Sequence, residues 1–203
     1  MTRNWRRLPW ELRYEKGAML ASDLRKLVVR ATHRHCRVEF QGPVRLGPGF
    51  SLHIPNRGSF IVGPGVDFRR RFFCEISGDG VVTIGAGVTF TADAMIQCST
   101  AVTIRDGCQI GQSFMVIDGN HRYREYDTPF LEQGYDYRPV TIGPDAMILS
   151  KVTVLADVGE RSVIAAHAVV NRDVPPYCLA GGVPARVIEY FGPPELRPIG
   201  IEA

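Results

Sequence analysis

The chain has 203 residues, enough for one domain with a buried core, and carries a net charge of +3. It contains no apolar run of 18 or more residues and no charged-then-apolar leader, so we expect neither a membrane-spanning helix nor a signal peptide. Its five cysteines are scattered without a C-x-x-C pair, which favours reduced thiols in a cytoplasmic protein over a disulfide framework or a zinc site.

The first 37 residues predict a basic, amphipathic helical segment. Apolar residues recur there at steps of three and four, and residues 1–40 hold ten basic side chains against four acidic ones. Such a charged face is usually solvated, but this one also permits peripheral contact with a membrane surface, which would add membrane association to a cytoplasmic location. No nucleic-acid recognition module accompanies the charge, so we expect no nucleic-acid partner.

From residue 38 onward the pattern is typical of many very short strands separated by tight turns. An aliphatic residue, usually followed by glycine, opens a phrase that returns at intervals of 16, 22, 20, 38 and 16 residues, at Leu46, Val62, Ile84, Ile104, Ile142 and Val158. Within an interval the opener recurs every six residues, as at Ile84, Phe90 and Ile96. Three hexads per turn predict a three-sided parallel solenoid whose openers stack inward. A β-sandwich would need longer strands with period-two alternation, which the sequence lacks.

These hexads, followed by VVNRDVPPY at 169–177 and GGVPARV at 181–187, resemble the left-handed β-helix (hexapeptide-repeat) acyltransferases. The similarity is closest to the galactoside, maltose and polysaccharide O-acetyltransferase branch, over roughly residues 44–190. It implies an all-β solenoid, a left-handed parallel β-helix over residues 38–190, with a short N-terminal α-helical segment (1–37), one long extruded loop and a C-terminal tail (191–203). The left hand is implied by the resemblance alone, because the general rule for parallel crossovers is right-handed.

The 38-residue interval holds one ordinary turn plus a long polar, aromatic excursion at residues 118–139, and long loops in compact domains tend to be functional. His121 stands at its edge, at the offset of the catalytic histidine of the enzymes it resembles, and imidazole suits removal of a hydroxyl proton near neutral pH. Asp118 would orient that imidazole, bind an acceptor hydroxyl or stabilise the turn. Asn120 fits a turn or an acceptor contact, and Tyr123 suits either a sugar ring or a clamp over a neighbouring subunit.

The resemblance implies further contacts. Related enzymes carry asparagines in the turn before the histidine, where this chain has Thr91 and Asp93, which suggests a different acceptor. The coenzyme contacts it implies are Met147, Ser150, Ala165, Ala166, Arg172 and Arg186. The two alanines would leave room for pantetheine, and the two guanidinium groups would bind phosphate oxygens.

The sequence therefore predicts an acyl-CoA-dependent acyltransferase, most simply an O-acetyltransferase that moves acetyl from acetyl-CoA to a saccharide or glycosylated intermediate. The family assembles as homotrimers and needs no metal, and we expect the same here. Two alternatives stay open: an amino-sugar N-acetyltransferase and a non-catalytic β-helix scaffold. A γ-class carbonic anhydrase would need three histidines converging on zinc, whereas the repeats offer only His53 and His167 besides His121.

Overall fold

A computed structural model of the chain describes Pro9 and residues 17–199. The rest of the predicted helical segment before residue 17, and the end of the tail at 200–203, lie outside the described residues. Within the described residues, helix α1 (Gly17–Thr32) precedes the strands, and a 3-10 turn at Pro194–Leu196 follows them. The strands are β1 (Arg37–Phe40), β2 (Arg45–Leu46), β3 (Ser51–His53), β4 (Ser59–Val62), β5 (Asp67–Arg70), β6 (Phe73–Ile76), β7 (Val81–Ile84), β8 (Thr89–Ala92), β9 (Met95–Cys98), β10 (Ala101–Ile104), β11 (Gln109–Ile110), β12 (Met115–Ile117), β13 (Gly119–His121), β14 (Tyr135–Tyr137), β15 (Val140–Ile142), β16 (Met147–Ile148), β17 (Thr153–Val154), β18 (Val163–Ile164), β19 (Val169–Val170), β20 (Cys178–Gly182) and β21 (Ala185–Tyr190).

Three sheets form the faces of a parallel β-helix. Sheet A has the order β1-β4-β7-β10-β15, sheet B the order β2-β5-β8-β11-β16-β18-β20-β21, and sheet C the order β19-β17-β12-β9-β6-β3. The chain steps from A to B to C and then starts the next coil, so β7, β8 and β9 make one complete coil. The hexad pattern predicted this three-sided arrangement, and the structure confirms it.

The core is the predicted column of hexad openers. In sheet A, Ile84 pairs with Ile104, and Ile104 pairs with Ile142 across the long interval. In sheet B, Phe68 pairs with Phe90, with ring centroids 5.1 Å apart and planes 8° from parallel. All five side chains are at most 1% exposed. Each such burial contributes about 1.5–3 kcal/mol, so stacked openers fix the register of every coil.

The corners between sheets are tight because successive coils stack in direct contact. A Cβ at Gly63 would lie 2.8 Å from the backbone nitrogen of Ala86 in the next coil, which leaves space only for glycine. Between sheets B and C, one corner residue of each coil adopts a positive φ, as at Asp93 (57°), Ser113 (57°) and His167 (62°). The backbone at this corner is therefore left-handed even where the residue is not glycine.

Helix α1 lies against β2 at the first coil. Buried Ser22 accepts a hydrogen bond from the backbone N–H of Leu46 (2.8 Å), and Arg25 Nη1 donates to the carbonyl of Leu46 (2.9 Å). The apolar side chains of Leu20 and Leu24 face away and are exposed. No helix in the described part of the chain is long and apolar enough to cross a lipid bilayer.

The last coil ends differently from the others. After β20, the chain reverses and β21 pairs with β20 in the antiparallel direction, with a register shift between Leu179 and Ala180. The buried ring of Tyr190 closes this end, and its hydroxyl donates to the carbonyl of Pro193 at 2.6 Å. Sheet B therefore ends on an antiparallel strand.

Candidate functional site

The excursion predicted at 118–139 forms a two-stranded antiparallel ribbon. Strands β13 and β14 pair Gly119 with Tyr137 and His121 with Tyr135. The exposed His121 ring lies 4.1 Å from the ring of Tyr135, which stacks on Tyr137 at 5.6 Å. A Cβ at Gly119 would lie 2.6 Å from Cδ1 of Tyr137, so glycine there lets the tyrosine ring lie flat on the strand. The imidazole and two aromatic rings thus share one face of the ribbon.

Asp118 anchors the base of this ribbon. It is 3% exposed and accepts hydrogen bonds from the backbone N–H groups of Ser99 (2.8 Å) and Thr100 (2.6 Å) and from the Thr100 hydroxyl (2.8 Å). The thiol of Cys98 adds a longer contact of 3.5 Å. Among the described residues, no hydrogen bond joins Asp118 to His121. The bonds from Ser99 and Thr100 tie the carboxylate to the corner that follows β9.

A cavity of about 380 Å³ lies between the ribbon and sheet C, and we call it the ribbon cavity. Three predicted site residues, Asp118, Asn120 and His121, line it. Two polar residues that the prediction missed, Glu75 and Gln97, also line it and pair with each other across β6 and β9. Each follows a hexad opener (Cys74 or Ile96) by one position. Because openers point inward, this spacing could have predicted that both side chains lie on the outer face of sheet C. The remaining lining residues are Ser77, Cys98, Ser99, Ile117, Gly119, Tyr135 and Tyr137.

A second depression runs along the outer face of sheet B, and we call it the sheet B groove. It has a volume of about 520 Å³ and is lined by three predicted coenzyme contacts, Met147, Ser150 and Ala166. The half-exposed Met147 and Leu149 supply apolar surface, and Gly111 also lines the groove. The other lining residues are Arg69, Thr89, Thr91, Gln109 and Ile110, with Ile148 beneath.

Comparisons with known proteins identify two curated relatives of the chain. The galactoside O-acetyltransferase of Escherichia coli (strain K12) is 46% identical over 149 residues, which are 72% of this chain and 57% of that protein. A second curated relative, from Mycobacterium tuberculosis, is 30% identical over 152 residues, 73% of this chain and 50% of its own length. The chain thus spans about half the length of these two relatives. No protein-family model matches the chain.

Among solved structures, a hexapeptide-repeat acetyltransferase from Vibrio cholerae, complexed with acetyl coenzyme A, is 28% identical. Its TM-score is 0.58, with 64% of this chain and 70% of that chain covered. The chain belongs to the hexapeptide-repeat acyltransferase family. An N-acyltransferase from Bacillus cereus, 19% identical with a TM-score of 0.61, shares the fold (78% of this chain, 84% of that one).

Some positions singled out by the family resemblance lie away from the ribbon cavity. Thr91 belongs to β8 on sheet B, and its buried hydroxyl oxygen has no hydrogen-bond partner among the described residues. Asp93 lies at the corner after β8, where the guanidinium of Arg71 binds both carboxylate oxygens and lowers the pKa of Asp93. Tyr123 is exposed beside the guanidinium of Arg124 and does not line the cavity.

The alanines and arginines implied as coenzyme contacts do not all lie on one sheet. They are Ala165, Ala166, Arg172 and Arg186. Ala165 follows β18 directly and donates its N–H to the carbonyl of Ala180 in sheet B (2.8 Å). Arg186 lies on β21 with an exposed guanidinium that donates to the carbonyl of Ala185 (2.7 Å). Arg172 lies at another corner, after β19 of sheet C. A single chain therefore does not bring Arg172 to the sheet B groove.

His53, His121 and His167 do not form a metal site within one chain in the described residues. His53 lies on β3 and His167 at the corner between β18 and β19, and both are exposed. Within the described range, no group of three or more histidine, cysteine, aspartate or glutamate side chains could hold a metal ion.

Proposed function

We propose that the chain transfers an acetyl group from acetyl-CoA to a hydroxyl group of a saccharide or glycosylated intermediate, with His121 as the general base. The observation that carries this proposal is the position of the His121 imidazole at the wall of the ribbon cavity, beside two stacked tyrosine rings. Aromatic faces together with the oxygens of Glu75 and Gln97 suit a polyhydroxylated ring. The relative named for galactoside O-acetylation supports this acceptor class.

In the proposed reaction, His121 takes the proton from the acceptor hydroxyl as that oxygen bonds to the acetyl carbonyl carbon. The bond from this carbon to the thioester sulfur breaks, and the imidazolium returns its proton to the sulfur. The products are the acetylated acceptor and a free thiol, so protons and electrons balance. Such a base contributes about 10²–10⁴-fold to the rate. Tyr135 packs on the imidazole and limits its rotation, which keeps a ring nitrogen directed at the acceptor.

The sheet B groove fits the coenzyme. Bound there, the coenzyme would supply the activated acetyl thioester. The groove is open and is lined largely by small and apolar residues, which suits a pantetheine arm beside Met147, Ser150 and Ala166. Ala165 adds a second small residue next to this path, and Arg186 places an exposed guanidinium on the last strand of the same sheet.

The assembly we propose is a homotrimer. In one chain, the ribbon cavity lies by sheet C and the groove lies on sheet B, so base and coenzyme would occupy different faces. A second copy alongside would place its ribbon cavity against this groove and bring Arg172 of the partner subunit to the coenzyme. A cyclic trimer closes three such clefts with identical contacts.

The test is a thiol-release assay with acetyl-CoA and a panel of sugars, amino sugars, sugar nucleotides and oligosaccharides. We expect H121A to lower kcat by about 10²–10⁴-fold while acetyl-CoA still binds in calorimetry. The matched control is H167A, because His167 is also exposed but lies at a sheet corner. Unchanged coenzyme A release by H121A would refute the base assignment. Faster acetylation of an amino sugar than of its hydroxyl analogue would favour N-transfer, and a lack of acetyl-CoA binding would favour a scaffold.

A further inference from the structure

Four arginines converge at the N-terminal end of sheet B, away from His121. Arg25 of α1, Arg45 of β2, and Arg69 and Arg70 of β5 line a cavity of about 470 Å³, which we call the arginine cavity. The remaining wall is mostly glycine and alanine, because α1 approaches sheet B through its small residues. Among the described residues that line this cavity, none is acidic.

The arginines are held in place but are not neutralised. Arg25 is fixed by its bond to the Leu46 carbonyl, a neutral acceptor. Arg45 and Arg69 both lie 3.5 Å from the same oxygen of Asp67, which is too long for a strong hydrogen bond. Arg70 forms no ion pair within the described range. Asp67 thus contacts two of the four guanidinium groups, so the residues that line the cavity carry an excess of positive charge.

Thr91 also lines the arginine cavity. Its hydroxyl oxygen is fully buried, yet it has no hydrogen-bond partner among the residues that the structure describes. A buried unpaired hydroxyl costs about 1–3 kcal/mol, so such a group usually has a partner. A ligand oxygen inside the cavity would accept from this hydroxyl and from the guanidinium groups together.

We infer that the arginine cavity is a binding site for a phosphate group. Arginine forks match phosphate oxygens in pairs of parallel hydrogen bonds, and a phosphate dianion balances more of the excess charge than a carboxylate does. The arginine cavity also borders the sheet B groove, because Arg69 and Thr91 line both. The phosphate would thus belong to a reactant, either a phosphorylated or nucleotide-linked sugar acceptor or the coenzyme. This assignment to a reactant rests on the proposed function, whereas the anion binding does not.

The first experiment measures binding of pyrophosphate to the full chain by isothermal titration calorimetry. We expect R70A and the double variant R69A/R70A to raise the Kd at least about tenfold, and the affinity of the unaltered protein to fall as salt is added. R57A is the matched control, because Arg57 is also exposed but lies between β3 and β4. T91V tests the buried hydroxyl with little change of volume. No pyrophosphate binding, or equal Kd values for the unaltered protein, R69A/R70A and R57A, would overturn the inference.

A second set of titrations identifies the source of the phosphate. A sugar phosphate that binds more tightly than its free sugar, with the difference lost in R70A, assigns the site to the acceptor. Coenzyme A binding that weakens in R70A, while pantetheine binding does not, assigns it to the coenzyme. If R70A changes neither comparison, the site serves no reactant and the assignment is wrong. H121A should bind pyrophosphate as the unaltered protein does, so a failure of the proposed catalysis would leave the anion site intact.

Discussion

The substitution D118N tests whether Asp118 anchors the base of the ribbon or binds the acceptor. In D118N one carboxylate oxygen becomes an NH2 group, which cannot accept a hydrogen bond. At least one of the backbone N–H groups of Ser99 and Thr100 then faces another donor in a buried corner. An unsatisfied buried donor costs about 1–3 kcal/mol, and the remaining bonds lose their charge assistance. We expect the free energy of unfolding to fall by about 2–4 kcal/mol.

The assay is urea unfolding at one fixed protein concentration, since assembly would couple stability to concentration. D106N is the matched control. Asp106 is an exposed corner aspartate that accepts a single hydrogen bond, from the backbone N–H of Ala86 at 2.8 Å, and its substitution should cost less than about 1 kcal/mol. If D118N is no less stable than D106N but has lost acceptor affinity, the anchoring role is refuted and Asp118 is an acceptor ligand.

The sheet B groove and the buried cysteines give three further predictions. A166V places a β-branched side chain in the sheet B groove, so the KM for acetyl-CoA should rise at least about tenfold with little change in the acceptor KM. The control is A101V, on the outer face of sheet A. Equal changes of the acetyl-CoA KM in A166V and A101V would contradict the proposed coenzyme path. Burial, reinforced by the charge of Asp118, raises the pKa of the Cys98 thiol to about 12, and burial raises that of Cys108 to about 11. Because folding favours the neutral thiols, stability should be complete below their ordinary pKa of 9.0 and decline as pH rises from there toward 12, seen as a falling urea midpoint. Near neutral pH a thiol reagent should label Cys36 first, and rapid labelling of Cys98 in the folded protein would show that its thiol is not protected.

The repeats allowed the coil register to be predicted from the sequence because each hexad opener has one apolar neighbour above it and one below. The pairing of Ile104 with Ile142 follows from that rule even though a long excursion separates them. The left hand of the coil came from the family resemblance, because spacing along a coil is the same for either hand. Local periodicity therefore predicts which residues stack but not every feature of the winding.

The sites were harder to predict where they depend on contacts between distant elements. The pairing of His121 with Tyr135 requires a reversal within a polar loop that has no apolar alternation to mark its strands. The arginine cavity exists only because α1 docks on β2, and the charge run alone predicted a solvated face. The partner of Asp93 was also hidden, because Arg71 precedes it by a whole coil and meets it only at the corner.

The reversal of β21 on β20 has a consequence for assembly. A parallel coil ending on bare strands would offer the next molecule a matching edge, and solenoids stacked in this way could grow into fibres. Here the strand beyond β20 runs in the opposite direction and carries a bulge, while α1 packs against the first strand of the same sheet. Both ends of sheet B therefore differ from its repeating interior, so end-to-end polymerisation in coil register is disfavoured and copies are left to associate side by side. The antiparallel strand β21 thus limits growth of sheet B beyond the last coil.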